Sequence, residues 1–184
     1  MRKLSIAALA LAFLASFAVA EETIKSGPQV GEDLEGPFHP LNINGPQAGK
    51  KFCLYCANGA KPVVMVFARE PHEQLSRLVK KVDEACSRHK DAKLNSFVVF
   101  CSNDEGLEDR LKKLANDANL KHVVLSIENP AGPEGYKVAR EADVTVVLYV
   151  NRNVKANFSF KKGQMKDKDI ENILAALPKI LAAK

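Results

Sequence analysis

Cys53-Leu54-Tyr55-Cys56 holds two thiols with two residues between them. Such a dithiol can close a disulfide and exchange it. A thiolate attacks a partner disulfide, a mixed disulfide forms, and the second cysteine resolves it. Lys50 and Lys51 precede the pair, and their charge favours the thiolate of Cys53. Phe52 and Tyr55 offer aromatic surface to a partner. The same pair in an oxidising compartment also reads as a small staple. Its loop is so short that its stabilisation falls below the roughly 3 kcal/mol of a 15-residue loop. Copper held by Cys53, Cys56 and either His39 or His72 is a third possibility, and nothing in the spacing selects it.

The remaining reactive residues are scattered. Cys86 falls on an apolar helical stripe and reads as a small core residue. Cys101 ends an apolar strand and reads as a core or rim thiol. These two are not expected to pair. A helix antiparallel to the strand puts Cys86 near its beginning, about 20 Å from its end, whereas a disulfide needs Cα atoms within about 7 Å. His72, beside Pro71, reads as a capping residue or a base near Cys101. His39 and His122 define no catalytic arrangement. Zinc would need more than one C-x-x-C, and haem attachment would need histidine where Ala57 stands. No phosphate-binding glycine motif is present, so no nucleotide or other cofactor is expected.

The elements that must position these groups follow from the apolar pattern. Phe38–Leu41 and Lys51–Tyr55 read as two short strands around the turn residues Asn42-Ile43-Asn44-Gly45-Pro46. The dithiol thus falls at the end of a hairpin arm, ahead of the first strong strand at Pro62–Ala68, rather than at a helix start. Val63–Phe67 and Phe97–Cys101 are continuous apolar runs, as expected of strands buried on both faces. Between them Leu75, Leu78, Val79, Val82 and Cys86 follow helical spacing. A second helix carries Leu107, Leu111 and Leu114, with Ser102, Asn103 or Asp104 as its cap. Val123–Ile127, Val144–Val150 and about Lys155–Phe160 complete the strands, the last two joined by Asn151-Arg152-Asn153. A short helix is expected over Tyr136–Glu141. The final helix, with Ile170, Ile173, Leu174, Leu177 and Leu181, should bend or stop at Pro178.

Residues 1–20 have the pattern of a secretory signal: Arg2 and Lys3, an apolar run from Leu4 to Phe17, and the small-residue site Ala18-Val19-Ala20. The run is shorter than the roughly 20 residues of a membrane span, so no stable anchor is expected. Residues 21–36 read as an extended lead-in and residues 37–184 as one domain. The formal charge is +5, and Arg2 and Lys3 lie in the leader, leaving a mildly basic chain with no run suited to nucleic acid. Export would place the cysteines where disulfides persist, in the periplasm or outside the cell.

Strands alternating with helices, followed by a hairpin and a last helix, argue for a mixed α/β sheet. This order, the segment Lys61–Phe67 and the segment Ala139–Val150 resemble the thioredoxin-like superfamily, in its peroxiredoxin-like branch, over about residues 37–183. The resemblance implies a central mixed sheet flanked by helices, with an N-terminal β-hairpin extension. It also implies thiol-disulfide chemistry, with thiols directly after the first core strand. Here that position reads Ala68-Arg69-Glu70-Pro71-His72 and holds no thiol. At the start of the fourth core strand, Val144-Thr145 keeps the family's threonine without its proline. The expected function is an exported thioredoxin-like thiol-disulfide oxidoreductase or redox-homeostasis protein using a relocated dithiol. Cys53 and Cys56 would be catalytic, and protein thiols or disulfides would be the partners. The alternative is a non-catalytic binding or scaffold module for an extracytoplasmic protein, with Cys53–Cys56 structural.

Overall fold

The computed structural model describes residues 24–181; the leader lies outside these residues. Its centre is a six-stranded sheet in the order β1-β4-β3-β2-β5-β6. The strands are β1 (Leu41–Asn42), β2 (Val63–Ala68), β3 (Asn95–Cys101), β4 (Val123–Glu128), β5 (Val144–Val150) and β6 (Asn153–Phe160). β2, β3 and β4 run parallel, while β5, β6 and β1 run antiparallel to their neighbours. The parallel core follows from the helical crossovers between β2, β3 and β4, which leave those strands apolar on both faces.

Alternation along each strand makes two cores. Val64, Val66, Val98, Phe100, Val146 and Leu148 face one side. That side is covered by α2 (Glu73–Arg88), α3 (Leu107–Asp117), α4 (Asp167–Ala175) and α5 (Pro178–Leu181), whose apolar stripes join the same cluster. The other side carries Met65, Phe67, Phe97, Val99, Val147 and Tyr149. Its cover is the short α1 (Leu54–Asn58), Leu34 and Phe38 of the N-terminal segment, and Tyr136 of the long 129–143 connection. Register shifts between Leu148 and Tyr149, opposite Ala156 and Val154, so Lys155 is extra. The bulge turns Val154 toward one core and Ala156 toward the other.

Several elements differ from expectation. The hairpin is reduced to a rung: Leu41 bridges Lys51, and β1 itself joins the sheet edge on β4. Asn44 extends that edge with its side chain, donating to the Val123 carbonyl and accepting from the Leu125 N–H. Tyr136–Glu141 is not a helix but irregular chain ending in a turn, because Lys137 takes a left-handed φ of 52° that helical backbone excludes. α3 starts later than its expected caps, and Asp104 instead receives the Gly106 N–H at 2.8 Å. Pro178 divides the last helix into α4 and α5, as its missing N–H requires.

The N-terminal segment is stitched into the sheet. Ser26 is buried, and its carbonyl accepts from the Asn157 amide and the Ser159 hydroxyl of β6. Gly27 lies so close to β5 that a Cβ would meet the Thr145 methyl at 3.0 Å, with φ at +73°.

Candidate functional site

Cys53 and Cys56 form a disulfide with Cα atoms 5.3 Å apart. The segment read as a hairpin arm ends as a strand at Lys51, and the dithiol opens a helix after all. Cys53 is the cap of α1, in extended backbone, and its Sγ accepts the Cys56 N–H at 3.0 Å. The far end closes through the Asn58 amide on the Leu54 carbonyl and through Gly59, whose φ of +57° suits a helix stop. Burial of Leu54 and Tyr55 against the sheet favours this turn over strand pairing. The signal was present in Asn58-Gly59, a helix end as well as a turn.

The two sulfurs occupy unequal surroundings. Cys53 is 6% exposed and belongs to the inner cluster. Cys56 is exposed. Tyr55, expected at a partner surface, is instead buried, with the Arg152 guanidinium 4.8 Å from its ring centroid. Phe52 is half-buried and lines a groove of about 240 Å³ with Leu54, Ala57, Val124 and Asn42. Asn42, which sequence reasoning passed over as a turn residue, is buried with its carboxamide lacking a hydrogen-bond partner. Lys50 and Lys51 are exposed.

The pair lies at the end of the sheet where β2 begins and β5 ends. There the Asn151 N–H donates to the Ala60 carbonyl directly after α1. The opposite end, where β2 stops at Ala68, is the edge at which the resemblance would place thiols. Arg69 closes it. Its Nη2 donates to the Ala139 carbonyl at 2.8 Å and its Nε to Ala142 at 3.2 Å, while Nη1 reaches the carbonyls of Pro130 and Cys101. One guanidinium thereby ties β3 to three points of the 129–143 connection.

Cys101 lies at this edge but on the face away from α2. It is 3% exposed, and burial pushes its thiol up to about 12. Burial pushes Cys86 up to about 12 in the same way. The two are free and unpaired with each other, as the strand geometry required. His72 does not meet Cys101. It caps α2 through Nδ1, which accepts the Leu75 N–H at 3.3 Å. Its Nε2 stands 3.2 Å from Asp143 Oδ2 without hydrogen-bond alignment, an electrostatic contact. Burial raises the Asp143 carboxyl above the usual range, and Glu70 adds to this; His72, Lys162 and Arg69 oppose it. Lys162, 2.6 Å from Glu70, lowers the Glu70 carboxyl. Among the described residues no three of histidine, cysteine, aspartate and glutamate gather as a metal set.

No protein-family model matches the sequence, and no curated protein matches it. Solved structures do. A candidate protein disulfide isomerase from Bacteroides thetaiotaomicron superposes with a TM-score of 0.60 at 15% identity, over 85% of this chain and 94% of that one. The yeast mitochondrial 1-Cys peroxiredoxin gives 0.57 at 11%, over 82% and 76%. A secreted disulfide oxidoreductase of Mycobacterium tuberculosis gives 0.52 at 11%, over 76% and 95%. The chain therefore has the thioredoxin-like fold. At these identities the likeness concerns the fold, and the chemistry must be argued from Cys53 and Cys56.

Proposed function

We propose that this protein is an exported thiol-disulfide oxidoreductase or redox-homeostasis protein, with Cys53 and Cys56 as its dithiol and protein thiols or disulfides as its substrates. The observation that carries this reading is a disulfide at the first turn of a helix with one of its two cysteines exposed. Exchange needs an accessible sulfur and a leaving thiolate with a donor beside it, and the Cys56 N–H on Cys53 supplies that donor. The secreted oxidoreductase among the structural neighbours supports export. Among the described residues no helix is long and apolar enough to cross a membrane.

The burial of Cys53 among Phe38, Leu54 and Tyr55 favours a second reading, a binding or scaffold module in which the bond pins α1 to the sheet. The redox potential separates the two. The protein is equilibrated in graded glutathione buffers, free thiols are alkylated, and labels are counted per peptide. A midpoint between about −120 and −270 mV supports exchange, and a pair still oxidised below about −300 mV is a staple.

A further inference from the structure

In the sequence, the charge of Lys50 and Lys51 points to Cys53 as the attacking thiolate. We infer the reverse: Cys56 is the sulfur that forms the mixed disulfide with substrate, and Cys53 is the leaving and resolving sulfur. This inference rests on the dithiol reading.

The argument is one of access. Thiol-disulfide exchange requires the incoming sulfur to approach along the line of the bond being broken, from behind the sulfur attacked. Cys53 is packed in the cluster that includes Leu34, Phe38 and Met65, so the space behind it is protein. Cys56 stands exposed on the outer side of α1, next to exposed Ala57. The hydrogen bond points the same way. Among the described residues the only backbone donor on the pair is the Cys56 N–H, and it rests on Cys53 Sγ. An N–H bonded to sulfur favours the thiolate there, so it assists whichever sulfur departs with the electron pair.

The steps balance as follows. A substrate thiolate attacks Cys56 Sγ, forming a substrate–Cys56 bond and breaking the Cys53–Cys56 bond; the electron pair leaves on Cys53. A second substrate thiolate then attacks the first substrate sulfur and releases Cys56 as a thiolate. The substrate dithiol is oxidised by two electrons and the protein disulfide is reduced by two. In the reverse direction, the Cys56 thiolate attacks a substrate disulfide and Cys53 resolves it.

The test uses reduced, full-length mature protein and oxidised glutathione as the disulfide probe. Mixed-disulfide formation in Cys53→Ala, which retains Cys56, is compared with Cys56→Ala by intact mass, with folding checked by circular dichroism. Cys53→Ala should be glutathionylated at least about tenfold faster, as its thiol is the accessible one. Equal rates, or a faster Cys56→Ala, overturn the inference. Because losing Cys53 removes the α1 cap, the unsubstituted reduced protein is also treated with substoichiometric iodoacetamide and mapped. Cys56 should carry most of the label, and label first on Cys53 overturns the assignment. The glutathione titration keeps the two claims apart. A pair that this buffer cannot reduce defeats the dithiol reading, whereas a pair that cycles with Cys53 labelled first defeats this inference alone.

Discussion

The Thr145 hydroxyl donates to Ser26 Oγ at 2.6 Å, joining two residues 119 positions apart in the sequence. Thr145 is the threonine that the resemblance expects at the start of the fourth core strand. Here its hydroxyl is consumed by the chain's own N-terminal segment. Ser26 Oγ also accepts the Ala139 N–H at 3.0 Å, so one buried hydroxyl holds the lead-in, β5 and the 129–143 connection together.

Ser26→Ala leaves the Ala139 N–H and the Thr145 hydroxyl without their buried partner. Such losses cost about 1–3 kcal/mol. For a chain of this size that lowers Tm by roughly 2–4 °C per kcal/mol. Thermal melts of mature protein check this, and an unchanged Tm would show that the Ser26 hydroxyl contributes nothing to stability.

Arg69→Met removes a charged donor shared by four carbonyls at the edge opposite the dithiol. A loss of about 2–4 kcal/mol is expected in urea titrations. Lysine should rescue it only in part, because an ammonium cannot span the same fork of acceptors. The rate of glutathione exchange at Cys53 and Cys56 should be unaffected in folded variants. A change in that rate would place the working edge back at Arg69.

Alkylation should separate the four cysteines into two classes. With burial raising Cys86 and Cys101 to about 12, neither forms appreciable thiolate at pH 8. Reduced native protein should take label at Cys53 and Cys56 only, and all four should react in denaturant. Cys101→Ser should leave any exchange activity intact. Rapid native labelling of Cys101 would contradict its burial.

The disulfide spans three positions, so its effect on the unfolded chain is small. Reducing it should lower stability by less than about 3 kcal/mol. Parallel denaturant titrations with and without dithiothreitol measure the difference. A larger loss would favour the staple.

Asp143 gives a pH signature. Burial raises its folded pKa above the unfolded value, with Glu70 adding and His72, Lys162 and Arg69 opposing. Between the two values the folded state binds more protons than the unfolded one, so stability falls as pH rises through the raised pKa. Asp143→Asn should therefore be the more stable protein at pH 7. Its advantage should fade as pH falls through the raised value and be gone below the ordinary carboxyl value of 3.8. Denaturant midpoints of both proteins across pH 3–7 test the sign.

What the sequence by itself determined was the scaffold and the list of thiols. Continuous apolar runs at Val63–Phe67 and Phe97–Cys101, with helical stripes between them, leave few ways to bury those faces, and a parallel mixed sheet is the one observed. Strand polarity also settled in advance that Cys86 and Cys101 stay apart. Tertiary structure decided the rest. Leu54 and Tyr55 sit side by side between Cys53 and Cys56, a stretch too short to distinguish a strand from a single helical turn. Only the apolar surface of Phe97, Val147 and Tyr149 waiting beneath them selects the turn. That choice makes Cys53 a cap and turns Cys56 outward, which no local pattern specifies. The closure of the opposite edge was equally hidden. Arg69 finds carbonyl acceptors 32 to 73 residues away, and such pairings exist only once the chain has folded around them.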